Sequence, residues 1–524
     1  MMSNSNLNPM DIPEIISRVG DFLEQGDLLR CILVSRTFHN TLAGSKSICK
    51  RIEIGDAYSR YRKYPTGAAL QSYKENIEEL LFYYKFPKEY MSLQGCVRLQ
   101  SIKCQSQSLF NLSELSSLIM SHSSTITKFE LSTQDNPTLR EIWTALLGCT
   151  HLEVLTISST QMCNDGVDLF FQVCKRVRCL EMSYVDINRL PPNFLNDGTD
   201  EFIFPNMTTL HLRDVRISTP PTFYSSSYCL GILAKRCPKL RSLKFDEYAR
   251  GGILYRTGAC AFYKAVFVDH PFTLTSLSDL YMGSFGIKDE DMAALLRKMT
   301  ELRRLDIPDC EFGPLSMQEL LADEQEVLDG GHIVRKRRDR RLCDTVEILI
   351  FQRQGETPAG VGQAILSNCP RLKELAGPKV KVTEIVDGEE WVSTDLTYLV
   401  IRLEADVDKE TAEGMQKQRI VFKQLAKMTK LRVLYLTNYN SVAQYRTLDL
   451  RLRAGLDELA NLKRLHLLSF NRDMCQQMQS EDVTWIINNW PKIKRLDGVV
   501  NYKSNAMASL FVAHNISAGF NYDL

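Results

Sequence analysis

The chain has 524 residues, of which 44% are hydrophobic and 24% charged, and its formal net charge is +1. A chain of this length exceeds what one compact core holds, so it forms either several domains or one elongated repeat array. The near-zero net charge gives no general argument for nucleic acid or an anionic membrane as a partner. No apolar run reaches the roughly 20 residues of a membrane helix, and the N-terminus lacks a signal-peptide pattern. We therefore expect a cytoplasmic protein, with nuclear entry as the alternative.

The first elements in the chain are predicted to be a short disordered N-terminus, residues 1–7, and a small helical module, residues 8–48. Apolar residues recur at helical spacing in the module and form one stripe: Ile12, Ile15, Ile16, Val19, Phe22 and Leu23. Ser35 can cap a later helix in which Phe38 and Leu42 face inward. From patterning alone, the module is either the N-terminal cap of a repeat array or a docking unit for a partner.

The same stretch resembles the F-box motif, in which L-P-x-E-I is followed by an apolar helix, D-L-L-R and V-C/S-R-x-W/F. The matching segments are 12–15, 27–30 and 34–38, with Ile12 in place of the first Leu and Phe38 where Trp is common. Both departures conserve volume. The resemblance implies that the module docks on a Skp-family adaptor through these residues: Ile12, Pro13, Ile15, Leu28, Leu29, Val34 and Phe38.

Behind this module a strand-like phrase, apolar-x-x-apolar-x-apolar, recurs to the end of the chain, as in Leu152–Ile157 and Leu431–Leu436. Its fourth position falls at residues 80, 102, 129, 155, 180, 210, 243, 280, 305, 349, 375, 399, 434, 465 and 496. The spacing, from 22 residues (80 to 102) to 44 (305 to 349), is typical of leucine-rich repeats of roughly 20–29 residues with inserted loops. Residues 49–498 are therefore predicted to form an α/β solenoid of about 15 irregular repeats, with parallel strands on the concave face and helices on the convex face. The first strand is expected at Arg51–Ile54.

A cysteine stands three residues before the phrase in four repeats, at Cys149, Cys174, Cys237 and Cys369. Each follows a predicted helix and precedes a tight turn into the strand. No histidine recurs beside it, so a small apolar plug is a better interpretation than a catalytic thiol. None of the 15 cysteines belongs to a C-x-x-C pair, and we expect reduced thiols.

Alternation along the predicted strands assigns side chains to the concave face of the solenoid. This face is our candidate client-binding surface, although any single one of its residues is more often merely solvated. The candidate client-binding residues are His211, Arg213, Lys244, Tyr281, Arg304, Asp306, Arg402, Tyr435, Arg464 and His466.

Three intervals, 188–204, 246–276 and 308–342, are longer than a regular repeat and predict inserted loops. We expect at least one to border the client site, because solenoid insertions often belong to the binding surface. The last interval carries the basic run 335–341 after an acidic stretch at 323–329. We interpret the run as a solvated loop or helix whose opposite charges compensate, with a nuclear-import signal as the alternative.

The sequence carries no recognisable catalytic, metal-ligating or cofactor-binding motif. We therefore expect a non-enzyme with no catalytic residues, no metal and no cofactor. Residues 499–524 are predicted to be a capping segment that contains a closing helix.

An F-box followed by leucine-rich repeats is similar to the F-box/leucine-rich-repeat proteins, particularly the long, irregular kind familiar in fungi. The resemblance implies the substrate receptor of an SCF-type ubiquitin ligase, linked through the Skp-family adaptor to a cullin and binding an unknown client, with neither nucleic acid nor membrane as a partner. The alternative is a repeat scaffold or regulator outside any ubiquitin ligase, whose front helices only cap the solenoid. A GTPase-activating protein built on such repeats is a remote third possibility, because no single arginine stands out.

Overall fold

The computed structural model describes residues 12–20, 22–23, 27, 30–31, 34–43, 50–55, 64–83, 85–106, 112–133, 139–196, 200–247, 255–283, 286–351, 358–437, 446–471, 473–501 and 506–519. The chain divides into two compact units. Unit 1 consists of Met1–Cys229 and Arg236–Lys239, and unit 2 of Leu230–Lys235 and Leu240–Leu524. Each unit is described by itself below.

Unit 1 contains a parallel sheet in which β1 to β7 pair in chain order and β8 pairs with β6. The predicted first strand is present with the expected bounds. The strands are β1 (Arg51–Ile54), β2 (Glu79–Phe82), β3 (Ser101–Ser106), β4 (Lys128–Thr133), β5 (Val154–Met162), β6 (Cys179–Ile187), β7 (Thr209–Arg213) and β8 (Arg216–Ile217).

Unit 2 contains a second run of parallel strands, again paired in chain order. These strands are β9 (Ser242–Asp246), β10 (Asp279–Met282), β11 (Arg304–Ile307), β14 (Ile348–Phe351), β15 (Glu374–Lys381), β16 (Tyr398–Glu404), β17 (Val433–Tyr435), β18 (Leu467–Ser469), β19 (Arg495–Asp497) and β20 (Ser517–Gly519). Between β11 and β14 an antiparallel hairpin is formed by β12 (Glu324–Asp329) and β13 (His332–Arg337).

Helices connect most successive strands, and neighbouring helices pack on one another, as α5 does on α6 and α10 on α11. The helices are α1 (Pro13–Gly20), α2 (Arg36–Ala43), α3 (Gly67–Tyr73), α4 (Lys88–Met91), α5 (Leu112–Ser121), α6 (Arg140–Leu147), α7 (Asn164–Cys174), α8 (Ser226–Lys235), α9 (Tyr255–Tyr263), α10 (Asp289–Leu296), α11 (Pro314–Leu321), α12 (Val361–Asn368), α13 (Val382–Asp387), α14 (Ala412–Ala426), α15 (Ser480–Asn489) and α16 (Ala506–Ala513). Short 3-10 turns lie at Lys74–Asn76, Asp200–Phe202, Leu342–Asp344, Leu452–Ala454 and Leu456–Asn461, and a π-helical turn at Lys264–Val268. The closing helix expected in 499–524 is α16, and β20 follows it as a strand that sequence patterning missed.

The fourth position of the repeated phrase forms a buried row in each sheet, with side chains at most 1% exposed. In unit 1 the row is Leu80, Ile102, Phe129, Leu155, Leu180 and Leu210. In unit 2 it is Leu243, Leu280, Leu305, Leu349, Leu375, Leu399, Leu434, Leu468 and Leu496. One strand and one helix cannot bury their apolar faces alone, so such a row is the shared core of stacked repeats. The predicted fold class, an α/β leucine-rich-repeat solenoid, is confirmed.

One predicted register position is wrong. The residue that pairs with Leu434 is Leu468, not Leu465. The segment 462–470 contains two overlapping copies of the apolar pattern, ending at Leu467 and at Phe470. The chain uses the second copy for β18, while Leu462 and Leu465 are buried in the turn that precedes the strand.

Cys174 is the last residue of α7, the other three repeat cysteines lie between helix and strand, and each of the four is at most 1% exposed. Burial raises the pKa of the Cys149 thiol to about 11 and the pKa of Cys174 well above its ordinary value. A thiol that stays protonated is neither a nucleophile nor a metal ligand. These residues therefore act as apolar plugs, as their spacing predicts.

No helix within the described ranges is both long and apolar enough to cross a lipid bilayer.

Candidate functional site

The front helices of unit 1 bury a small core and leave large apolar side chains in solvent. Helix α1 packs against α2, and Ile16 and Leu42 are 0% and 1% exposed. Ser35 Oγ accepts a 3.2 Å hydrogen bond from a backbone N–H and caps the start of α2. By contrast, Phe22 is 86% exposed and Val34 is 68% exposed. Large apolar side chains exposed on so small a module suit docking to a partner.

The seven predicted adaptor contacts fall into three groups. Pro13, Ile15 and Val34 are exposed, and Ile12 and Phe38 are half-buried. Leu28 and Leu29 lie outside the described residues. Phe22 was not among the predicted contacts, yet among the module's described residues it is the most exposed large apolar side chain. Its place in the apolar stripe of the sequence is the signal that could have singled it out.

Each sheet has an open face, carried by the strand positions that alternate with the buried core row. In unit 1 this face is charged. Lys103 Nζ lies 2.7 Å from Glu130 Oε1, and His211 Nδ1 lies 3.3 Å from Glu181 Oε1. The hydrogen bond from His211 holds the pKa of Glu181 below its usual value. The predicted surface residue His211 is therefore half-buried and engaged with a neighbouring strand.

Two further predicted residues sit over aromatic rings. In unit 1 the guanidinium carbon of Arg213 lies 5.5 Å from the centre of the Tyr184 ring. In unit 2 Lys244 Nζ lies 4.5 Å from the centre of the Tyr281 ring, one strand away. Cation–π contacts at such distances stabilise partly exposed pairs by about 0.5–1 kcal/mol. Lys244 and Tyr281 are thus predicted surface residues that the fold brings together.

Three predicted open-face residues are buried, which corrects the expectation that they are solvated. Asp306 is 4% exposed and forms a 2.7 Å ion pair with Arg304, which is itself half-buried. Arg402 and Tyr435 are each 7% exposed.

Tyr435 belongs to an apolar cluster on the open face of unit 2, where strand alternation predicts polar residues, and Asp306 pairs in register with a member of that cluster, Ile350. The buried members of the cluster are Ile350, Ala376, Val400 and Tyr435, which occupy one register row of β14 to β17. Partly buried residues pack against them: Ile348, Tyr398, Val433 and Leu467. Side chains on adjacent strands lie close enough to cover each other, so each excludes water from the next.

The register of β18 also moves two predicted residues off the open face. Leu467 and Ser469 occupy the positions that the sequence assigned to Arg464 and His466. Arg464 is exposed ahead of the strand. The backbone N–H of His466 donates to the carbonyl of Arg432 at 2.8 Å, which places His466 at the start of the strand.

The basic run lies in β13 and just beyond it, and so its first part is a strand rather than a loop or helix. Strand β13 pairs with the acidic β12. Lys336 Nζ lies 2.8 Å from Asp329 Oδ2, and Arg335 Nη1 lies 4.0 Å from Glu324 Oε2. The two halves compensate in charge, as we interpreted them. The apolar pair at the tip, Leu328 and Ile333, is exposed.

Arg338 holds the base of this hairpin. It is 5% exposed, and its guanidinium donates to the carbonyls of Leu296 at 2.8 Å and of Glu319 and Ala322 at 3.0 Å each. These carbonyls lie at the C-terminal ends of α10 and α11, and those of Leu296 and Glu319 also accept backbone N–H groups of the residues that follow. The buried guanidinium of Arg338 thus binds the ends of both helices and fixes the end of β13 next to them.

The other long intervals also contain regular structure. A 3-10 turn lies in 188–204, and α9 with the π-helical turn lies in 246–276. That any of these insertions borders a client site stays a prediction.

Within the described part of the chain, no three His, Cys, Asp or Glu side chains are grouped so that they could hold a metal ion.

The repeated strand–helix unit and its buried leucine row make this chain a leucine-rich-repeat protein of the α/β type. No protein-family model matches the sequence, and no curated protein matches it. Among solved structures, it is similar to a leucine-rich-repeat protein of Leptospira interrogans, with 14% identity, 82% of this chain and 92% of that chain covered, and a TM-score of 0.42.

An internalin of Listeria monocytogenes gives 14% identity, covering 80% of this chain and 91% of that chain, with a TM-score of 0.40. A complex of TLR13 with ssRNA13 gives 11% identity, covering 85% of this chain and 68% of that chain, with a TM-score of 0.33. Similarity at this level carries no argument about function, and the fold assignment rests on the strand register described above.

Proposed function

We propose that this protein is the substrate receptor of an SCF-type ubiquitin ligase. The observation that carries the proposal is the front module, where the F-box-like segments 12–15 and 34–38 present Pro13, Ile15 and Val34 to solvent. An apolar surface on a unit with so small a core is stabilised by a partner that covers it. The motif points to a Skp-family adaptor as that partner, and through it to a cullin.

The repeats behind the module supply the other half of this function. Leucine-rich repeats present long rows of side chains at fixed spacing, which suits protein recognition. We propose that the receptor performs no bond chemistry itself and acts by holding a client near the ligase, which raises the local concentration of client lysines. We also propose that it works in the cytoplasm or nucleus and needs no cofactor.

Co-purification with the adaptor tests the proposal. The double substitution Ile15→Asp/Val34→Asp places two carboxylates on exposed positions, so the fold should persist while docking is lost. A charged group buried in an apolar interface without a partner costs several kcal/mol, enough to reduce co-purification at least about a hundredfold. The matched control is Arg18→Asp, a charge change at another exposed position of α1.

Wild type and the Arg18→Asp control should retain the adaptor, and the double variant should lose it with an unchanged melting temperature. Retention by the double variant would contradict docking through this face. Failure of the wild-type chain to bind any Skp-family adaptor would contradict the ligase role as a whole.

The second candidate is a repeat scaffold outside any ubiquitin ligase, with the front helices as its cap. The grouping of these helices with β1 to β8 in one compact unit favours it. In that case the wild-type chain binds no adaptor, and deletion of residues 8–48 lowers the melting temperature of unit 1 because its terminal core becomes exposed.

A further inference from the structure

The starts of strands β17, β18 and β19 carry cations that are not neutralised. Arg432, Arg464, Lys492 and Lys494 are all exposed, and no carboxylate among the described residues forms an ion pair with any of them. Lys430, two residues before Arg432, is different because it forms an ion pair: its Nζ lies 2.7 Å from an aspartate carboxylate. This edge of unit 2 is therefore positively charged, while the whole chain has a net charge of +1.

The backbone places these cations in successive repeats at one edge of the sheet. The N–H of His466 donates to the carbonyl of Arg432 at 2.8 Å, and the N–H of Lys494 donates to the carbonyl of His466 at 2.9 Å. Arg432 and Lys494 are thus two strand spacings apart, about 10 Å. That distance lets one short bound segment contact both.

An apolar strip lies directly beside the cations. Tyr398, Val433 and Leu467 form one register row of β16, β17 and β18, and each is only partly buried. Arg432 immediately precedes Val433 in the chain. Beside the strip on the same face lies the buried cluster that includes Val400 and Tyr435, and the strip packs against it.

We infer that this edge, formed by Tyr398, Arg432, Val433, Arg464, Leu467 and Lys494, binds an acidic amphipathic segment of a client protein. The carboxylates of the segment pair with the cations, and its apolar side chains cover the strip. Apolar burial supplies affinity, and opposite charge speeds encounter and fixes orientation. Two of the three strip residues, Val433 and Leu467, are aliphatic and offer no face for base stacking, which favours a peptide over a single-stranded nucleic acid.

The inference rests on the proposed function only in naming the occupant as a client, and its test needs no adaptor. The probe is a short fluorescein-labelled peptide in which Glu and Leu alternate, and its binding to the full chain is followed by fluorescence anisotropy. The comparison probes are the same peptide with Gln in place of Glu, and a fluorescein-labelled oligothymidine. Affinity for the acidic peptide should fall as salt is added, because the cations are exposed.

Two variants separate the charged and apolar parts of the surface. Arg432→Glu/Lys494→Glu should weaken binding of the acidic peptide roughly tenfold or more. Val433→Thr/Leu467→Thr should weaken the acidic and the Gln peptide by the same factor, because it removes apolar contact alone. The matched control is Lys423→Glu, an exposed position of α14 in the same unit, which should bind like wild type.

Absence of peptide binding to wild type overturns the inference, as does equal affinity for the acidic and Gln peptides. The inference is also overturned if Lys423→Glu weakens binding of the acidic peptide as much as Arg432→Glu/Lys494→Glu does. Tighter binding of oligothymidine, lost in Arg432→Glu/Lys494→Glu, makes the edge a nucleic-acid surface instead. Adaptor co-purification by Arg432→Glu/Lys494→Glu should be unchanged, which separates failure at this edge from failure of docking.

Discussion

Arg338 shows how one residue can anchor an insertion into a repeat. Burial lowers the pKa of its guanidinium, which nevertheless stays charged at neutral pH because its ordinary pKa is so high. The charge is offset by three carbonyl oxygens at helix ends, where the backbone is electronegative. From the sequence, Arg338 was one more residue of a basic run, and only the fold distinguishes it from its neighbours.

Replacing Arg338 with Leu should lower the free energy of unfolding by about 3 kcal/mol, because three carbonyls at the helix ends lose a charged hydrogen-bond donor. Urea denaturation followed by circular dichroism measures the change. Arg337→Leu is the control, since Arg337 is exposed one residue earlier in the same run, and it should cost less than about 0.5 kcal/mol. Equal effects of the two substitutions would contradict the anchoring role.

At the scale of an element, the repeat between β17 and β18 departs most from the strand–helix pattern of the solenoid. In the described part of its connection, residues 446–450 belong to no helix or strand, and two 3-10 turns follow. The backbone N–H of Asp449 donates to Gln418 Oε1 at 2.7 Å, and that of Leu450 to Gln476 Oε1 at 3.1 Å. Gln476 Nε2 in turn donates to the carbonyl of Leu448 at 2.7 Å. Side-chain amides thus replace the hydrogen bonds that a helix would supply internally.

The substitution Gln476→Leu should lower the free energy of unfolding by about 2–4 kcal/mol, because it leaves one N–H and one carbonyl buried without partners. Hydrogen exchange should show faster exchange at Leu450 than in wild type. Gln416→Leu, at an exposed position of α14, is the control and should be near neutral. An unchanged denaturation midpoint in Gln476→Leu would show that water replaces the lost amide at no cost.

This segment also shows what sequence patterning could and could not predict. Leu448, Leu450 and Leu452 alternate with polar residues, which is the period of an extended chain and not of a helix. This alternation is consistent with the lack of a helix at residues 446–450. The hydrogen bonds from Gln418 and Gln476 could not be predicted, because both residues lie far away in the chain and no sequence pattern marks a glutamine that binds the backbone. The position of β18 was ambiguous for a related reason, since two overlapping apolar phrases satisfied the same pattern.

At the scale of the whole molecule, the repeat period predicted the buried leucine rows. It did not predict which side chains of the open faces are buried. Alternation tells which residues leave the core, but it does not tell whether their neighbours cover them. Tyr435 is buried because apolar side chains on adjacent strands surround it, and the buried Asp306 pairs in register with Ile350 of the neighbouring strand. Such pairs join residues of different repeats, and their spacing in sequence varies with each insertion.

The many buried thiols predict how the stability of the chain depends on pH. Burial raises the pKa of Cys96, Cys149 and Cys229 to about 11 and that of Cys310 to about 12. Because the unfolded chain releases these protons first, their contribution is complete below the unfolded pKa of about 9 and is lost as pH rises through the folded values. The free energy of unfolding should therefore fall steadily above about pH 9.

Guanidinium denaturation midpoints at a series of alkaline pH values, with reductant present, measure this dependence. The double variant Cys149→Ala/Cys229→Ala should show a shallower fall than wild type, because two of the titrating groups are gone. The same slope in both proteins would assign the alkaline loss to other groups.

The anchoring of the hairpin at its base has a consequence for how this protein can diversify. Arg338 fixes one strand of the hairpin, and the backbone N–H of Glu326 donates to the carbonyl of Arg297 at the end of α10. The tip between residues 328 and 333 can therefore change in length and composition without disturbing α10 or α11. Gly330 and Gly331 at the tip both have positive φ, so the turn itself is the part of the hairpin that requires glycine. We therefore expect natural variants of this chain to keep Arg338 and the helix ends that it binds, while the length and sequence of the tip vary.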